Sequence, residues 1–267
     1  MKTKELFFTL AWTIGVATTV CASGAVRQAM TGGTPEERAA ILEEQTRRNG
    51  GTVRIGGKGK VLIVHRLSSD MAAAVDRPVA MLGRALRIDI ERTVASEEFS
   101  VDNAEKLVAA SGAQAVVFIV DSSLLPPTLI APEARWAVVN VAPIFAGVEE
   151  ERRSCRLGVA FLRTACRLLG SDASRFATSC LAPAGTVADF DRLDKCFITV
   201  DTMIAMLQYI EHIGLRPYQI KSYRDACEDG DAPAPTNDVQ KAIWEKVKAD
   251  KERGPTNPIT IQPPKAK

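Results

Sequence analysis

The sequence predicts an α/β fold: a mixed, mostly parallel central sheet with helices packed on it, and one long helix running through the core. Three observations predict it. Continuous apolar, β-branched runs at 61–64, 115–120 and 137–141 read as strands covered on both faces. Helical segments separate the first two of these runs, the alternation that builds parallel sheets. From Glu149 to Leu169, Leu157, Ala160, Phe161, Ala165, Leu168 and Leu169 form an apolar face too broad for a surface helix.

At the N-terminus, Lys2 and Lys4 precede an apolar run from Leu6 to Val20, and small residues follow through Cys21–Ala25. This is the layout of a secretory signal peptide. A run of about 15 residues makes roughly 22 Å of helix, short of the ~30 Å hydrocarbon core. Export to the periplasm or outside the cell is therefore expected, with no permanent membrane span. Cleavage after Ala22 leaves 1–22 as the signal peptide, and cleavage after Ala25 is the alternative.

Residues 23–59 read as an N-terminal arm. Within it Thr34-Pro35-Glu36-Glu37 supplies an N-cap, a proline at the first helical position and two acids in the first turn, while Arg47, Arg48 and Gly50 close a short helix. The α/β domain is placed at 60–230. Its first strand, Val61–Val64, is followed by a helix from Asp76 to Ile90, and Val94 with its neighbours adds a short strand. Ser100 caps a helix that runs to Ser111, where Gly112 stops it. After the strand at Ala115–Val120, Pro126 and Pro127 force an extended loop. The strand from Ala137 to Val141 then leads into the long helix, which Gly170 ends. Ser171 to Cys196 is loop-rich. A helix from Thr199 to Ile213 should turn Val200, Met203, Ile204, Leu207 and Ile210 inward. Residues 231–252 combine an Ala-Pro linker with a helix from Asn237 to Asp250 carrying Ile243, Trp244 and Val247, and 253–267 is a proline-rich tail.

With 34 Lys and Arg against 32 Asp and Glu, the chain has no overall pull toward nucleic acid. Beyond Cys21 the cysteines are Cys155, Cys166, Cys180, Cys196 and Cys227, an odd number with no C-x-x-C pair, which excludes a complete disulfide framework. Cys155 and Cys166 lie on one helix about 16 Å apart along its axis, beyond the ~7 Å limit for a disulfide. Cys180 with Cys196 is sterically open, because a loop separates them. Buried thiols acting as small hydrophobes are the alternative.

The order of these pieces resembles the archaemetzincins, zinc metallopeptidases of the metzincin clan. The resemblance is carried by Ala115–Asp121, by Trp136–Ala142 before the long helix, by Gly170 and Cys180, and by the Phe190–Leu193 region, over about residues 60 to 215. It implies a metallopeptidase fold with a zinc signature on the long helix. Aligning the signature's glycine on Gly170 puts Arg163, Thr164 and Arg167 where the His, Glu and His would stand. Ala173 falls at the third ligand, Ser174 at the cysteine after it, and Cys180-Leu181-Ala182 where the Met-containing turn would be. Zinc hydrolysis needs three neutral imidazole or carboxylate ligands and a carboxylate base, and arginine is cationic at every accessible pH. The resemblance thus implies a scaffold without catalytic residues, metal or cofactor.

Arg152, Arg156, Arg163 and Arg167 fall within about 60° of one another on a helical wheel. Arg163 and Arg167 are the candidate ligand-binding pair, holding a carboxylate or other small anion through guanidinium hydrogen bonds. The alternative is an ion-paired face with Asp189, Asp191 and Asp194 as partners. The leading expectation is an exported, non-catalytic protein that binds an unidentified protein or anion, or has a structural role, in the cell envelope. Two others stand beside it. One is a hydrolase with an atypical site around His65, Cys166 or His212, including a Cys166–His212 nucleophile pair. The other is an envelope assembly-factor domain acting by protein contact.

Overall fold

A computed structural model of the chain describes residues 34–193 and 198–253. The signal segment, both cleavage positions, Asp194, Cys196 and the tail beyond Arg253 lie outside the described residues. By its internal contacts the chain forms two compact units, residues 56–219 and the two segments that flank them.

The flanking unit opens with α1 (Pro35–Arg48), capped as its sequence predicts: the Thr34 hydroxyl accepts from the Glu37 amide and the Glu37 carboxylate accepts from the Thr34 amide. Strand β1 (Thr52–Ile55) follows.

The central unit is built on five strands. Strand β2 (Lys60–His65) leads through α2 (Ser69–Ala73) and α3 (Asp76–Leu86) to β3 (Asp89–Val94). Helix α4 (Val101–Ser111) returns to β4 (Ala115–Val120), and β5 (Thr128–Ala131) precedes β6 (Trp136–Asn140). The spatial order is β3-β2-β4-β6-β5. The first four strands are parallel and β5 runs antiparallel against β6, so the sheet is mixed and mostly parallel.

The continuous apolar runs follow from coverage on both faces. Because side chains alternate along a strand, Val61, Ile63, Val117, Ile119, Ala137 and Val139 point to one core, shared with Leu82 and Leu86 of α3. Leu62, Val64, Val116, Phe118, Trp136 and Val138 point to the other, against Ala104 and Val108 of α4. Phe99 seals that second core by edge-on contacts with Phe118 and Trp136, at centroid distances of 5.2 and 5.7 Å.

A short α5 (Val141–Phe145) precedes α6 (Glu150–Leu168), which spans about 28 Å at 1.5 Å per residue. Every residue of α6 from Leu157 to Cys166 is buried, the signature of a helix enclosed by protein on all sides. A 3-10 turn (Val187–Arg192) and α7 (Val200–His212) complete the unit.

The flanking unit resumes with β7 (Gln219–Ser222), which pairs with β1, and then α8 (Tyr223–Asp229) and α9 (Asp238–Arg253). Its small core joins Tyr223, Cys227, Ile243 and Val247. Gln240 donates to the Gly50 carbonyl at 2.9 Å, and Tyr223 donates its hydroxyl to the Pro233 carbonyl at 3.0 Å.

Three local expectations are corrected. Helix α3 stops at Leu86 rather than Ile90, because Arg87 takes a left-handed conformation (φ 53°) and turns the chain into β3. Thr128–Ala131, read as part of a loop, is a strand. Val200 is 60% exposed at the first turn of α7, and the buried face of that helix is Thr202, Met206 and Ile210.

Gly170 couples α6 to α7. Its φ of +94° is a conformation that side-chain-bearing residues avoid, and a Cβ there would overlap the Cβ and Cγ of Tyr209. Gly170→Ala should therefore lower the unfolding free energy by about 3 kcal/mol. Gly147→Ala is the control: φ is +66° but nothing lies within 4 Å, so only about 1 kcal/mol is expected. Urea denaturation of both variants checks the difference.

Candidate functional site

The candidate site lies along the C-terminal half of α6, where the chain turns back after Gly170. The returning segment is folded by its own short-range bonds. The Ser171 amide donates to the Cys166 carbonyl at 2.9 Å, the Ala182 amide to the Ser179 carbonyl at 2.9 Å, and the Leu181 amide to the Ser179 hydroxyl at 3.2 Å. The result is a compact turn that presents two carbonyls, those of Cys180 and Ala182, toward α6.

Arg163 meets them. Its Nη1 donates to the Cys180 carbonyl at 2.8 Å and to the Ala182 carbonyl at 2.7 Å, and the residue is only 7% exposed. A buried guanidinium is tolerable only when its donors find acceptors, and backbone carbonyls provide them here. Burial pushes the Arg163 pKa down, the neighbouring Arg167 pushes it further the same way, and Cys180 acts in the opposite sense. Arg167, one turn on, is half-buried.

The two positions between and beyond the arginines are apolar in effect. Thr164 is buried and its hydroxyl has no hydrogen-bond partner. Cys166 and Cys180 are both 0% exposed, and their thiols hydrogen-bond to each other. The Cys166 thiol is held well above its usual pKa by that bond and by burial. Cys180 is lowered, chiefly because Cys166 donates to its sulfur. Nearby, Ser174, Thr199 and Thr202 form a buried hydroxyl chain, with oxygens 3.2 and 2.8 Å apart.

The other half of the basic stripe is ion-paired. Arg156 grips Asp191 with two hydrogen bonds of 2.7 Å, and Arg152 approaches the same carboxylate at 3.7 Å. Arg156 thereby holds the Asp191 carboxyl below its usual pKa. Asp189 accepts from the Gly185 and Thr186 amides, both at 2.8 Å, and lies 3.3 Å from Arg192. The stripe is thus divided: Arg152 and Arg156 face an acid, whereas Arg163 faces carbonyls.

The structure does not assemble the Cys166–His212 pair. The Cys166 thiol is enclosed against Cys180, while His212 is exposed at the end of α7 with its ring 6.4 Å from Tyr209. His65 ends β2 with its Nδ1 buried and unpartnered, and burial together with Arg92 lowers its pKa. Among the described residues no group of three His, Cys, Asp or Glu side chains is placed to hold a metal ion. Arg163, Thr164, Arg167 and Ala173 themselves offer two cations, an unpaired hydroxyl and a methyl, which is not a set of zinc donors.

No protein-family model and no curated protein matches this chain. Solved structures do. A zinc-dependent peptidase from Methanocorpusculum labreanum is 11% identical, with 55% of this chain and 100% of that one covered at a TM-score of 0.43. Archaemetzincin from Methanopyrus kandleri is 16% identical over 57% of this chain and 96% of its own, also at 0.43. Archaemetzincin from Archaeoglobus fulgidus, complexed with malonate, is 10% identical over 55% and 99%, at 0.40. At such identities and TM-scores the likeness carries neither family nor chemistry across to this chain.

Arg163, Arg167 and Asp191 are legible as site candidates in the sequence, whereas the Cys166–Cys180 contact and the carbonyl grip are not. Arg163 and Cys166 are three apart on one helix face, which was readable. The turn that brings Cys180 back to that face has no side-chain signature.

Two predictions follow from this geometry. Arg163→Met strands two carbonyls that it now satisfies and should cost about 2–4 kcal/mol, whereas Thr164→Val removes an unpaired hydroxyl and should be neutral or slightly stabilising; thermal unfolding separates the signs. Asp191→Asn should cost about 1 kcal/mol at neutral pH. Because the folded carboxyl titrates lower than the unfolded one, its contribution is present above the unfolded pKa and is lost as pH falls through the folded value. Denaturation curves of wild type and variant should therefore converge below about pH 4.

Proposed function

We propose that this chain is a non-catalytic protein on a peptidase-like scaffold, acting after export as a binding or structural component of the cell envelope. One observation carries the non-catalytic part: at the position where the sequence resemblance places the first zinc ligand, Arg163 is buried and bonded to the Cys180 and Ala182 carbonyls. A cation fixed there repels a divalent ion and supplies neither a ligand nor a base.

The replacement of the metal-binding motif by Arg163, Thr164 and Arg167 belongs to this proposal, as does a role for the arginines in holding an anion. Arg163 commits Nη1 to the protein's own carbonyls. Arg167, half-buried beside it, is the better placed of the two to meet an anionic group on a ligand or partner. Export rests on the Lys2, Lys4 and Leu6–Val20 pattern. N-terminal sequencing that reads Ser23 or Val26 supports it, and a retained Met1 in material recovered from the producing cells rejects it.

The decisive measurement is metal content with activity. Purified protein dialysed against zinc should retain well under one zinc per chain and leave a mixed peptide library uncut. One zinc per chain together with cleavage would overturn the reading and favour the hydrolase.

A further inference from the structure

The thiols of the buried Cys166–Cys180 pair have no part in the proposed function. Four observations bear on it. Both thiols are 0% exposed and lie in the same hydrophobic core. They hydrogen-bond to each other, so the sulfurs are already neighbours. Their backbones are anchored independently of that bond: Arg163, one turn before Cys166 on the same face of α6, holds the Cys180 carbonyl at 2.8 Å, and the Cys166 carbonyl accepts from the Ser171 amide at 2.9 Å. The segment between them is a loop of about 15 residues, long enough for its closure to restrict the unfolded chain substantially.

We propose that Cys166 and Cys180 form an intrachain disulfide as the chain folds in the presence of a disulfide oxidant such as oxidised glutathione. The exchange balances in two steps. The Cys180 thiolate attacks one sulfur of glutathione disulfide, forming a mixed disulfide and releasing one glutathione thiolate. The Cys166 thiolate then attacks Cys180 Sγ, breaking the bond to glutathione and releasing the second thiolate. The two cysteine protons pass to solvent or to the departing thiolates, and the two cysteines are oxidised as one glutathione disulfide is reduced to two thiols. Either cysteine can make the first attack with the same balance, because the contacts that distinguish the two thiols form only with the native fold. Because both sulfurs are enclosed in the finished fold, exchange takes place before α6 and the returning turn close over them. With the sulfurs joined at ~2 Å, α6 and the returning turn then close around the bond, and Arg163 takes up the Cys180 and Ala182 carbonyls.

The bond locks the turn that carries Arg163's acceptors to the helix that carries Arg163. It also uses Cys180, the cysteine that the sequence alone leaves open to pair with Cys196. The test supplies the oxidant and so does not depend on export. The full chain is unfolded and reduced, refolded in a glutathione redox buffer, denatured without reductant, alkylated and digested with trypsin. The expected product is peptide 164–167 linked to peptide 176–192, about 2 Da lighter than the two free thiol peptides together, and separated by reductant. Alkylated Cys166 and Cys180, or a link from Cys180 to Cys196 or to any other cysteine, overturns the proposal. Under the same conditions Cys166→Ala should leave Cys180 alkylated, and a persisting disulfide at Cys180 in that variant also overturns it. If the variant fails to refold, the wild-type peptide map decides alone.

Discussion

The grip of Arg163 on the Cys180 and Ala182 carbonyls is the constraint around which the rest of the central unit is arranged. A guanidinium taken out of water loses its hydration and must recover it from fixed dipoles. The turn from Ser171 to Ala182 supplies those dipoles from a backbone already braced by its own bonds, with the amides of Ser171, Ser174, Ser179, Leu181 and Ala182 each donating to acceptors in the turn or at the end of α6. The interaction works in both directions. The carbonyls make a buried cation tolerable, and the cation satisfies two carbonyls that a loop packed on a helix would otherwise leave without donors.

That reciprocity explains how α6 can carry arginines and still be a core helix. Its charges are sorted by depth. Near the N-terminal end, Arg152 and Arg156 meet Asp191, a carboxylate brought in by the 3-10 turn. Deeper along the helix, Arg163 has no carboxylate partner among the described residues; its neighbour Arg167 opposes its charge, and the Cys180 and Ala182 carbonyls accept its hydrogen bonds. The helix ends where Gly170 lets Tyr209 of α7 close on the backbone, so the turn, the cation and the α6–α7 contact depend on one short stretch of chain.

The sheet was legible in the sequence because burial on both faces leaves a plain mark: Val61–Val64 and Ala115–Val120 contain little but apolar residues. Where burial is partial the mark fades. Thr128–Ala131 is half-buried throughout and follows two prolines, so neither alternation nor a continuous run announces β5. The end of α3 was misread because Arg87 adopts the left-handed conformation that glycine usually signals. In α7 the apolar spacing put Met203, Leu207 and Ile210 on the core side, where they pack, and Met206 joins them; only Val200, in the first turn, is left exposed. At the candidate site, the pairing of Arg156 with Asp191 was readable from charge and order along the chain. The partners of Arg163 were not, because a carbonyl belongs to every residue and only the path of the turn decides which ones face the helix.

The same difference bears on what this region can do. A binding site needs donors left over after the fold has taken its share. At Arg163 the fold takes Nη1 for two carbonyls. At Arg156 it takes both faces of the guanidinium fork for Asp191. Beside them, Thr164 offers a hydroxyl too deeply enclosed to find even an internal acceptor, and the thiols of Cys166 and Cys180 are turned on each other. A helix that holds an ion with inward-pointing ligands needs an inner face that is open and polar. Here that face is filled: Arg163 is bonded to the protein's own carbonyls and the Thr164 hydroxyl is enclosed without a partner, so only groups nearer the surface, such as the half-buried Arg167, are open to solvent.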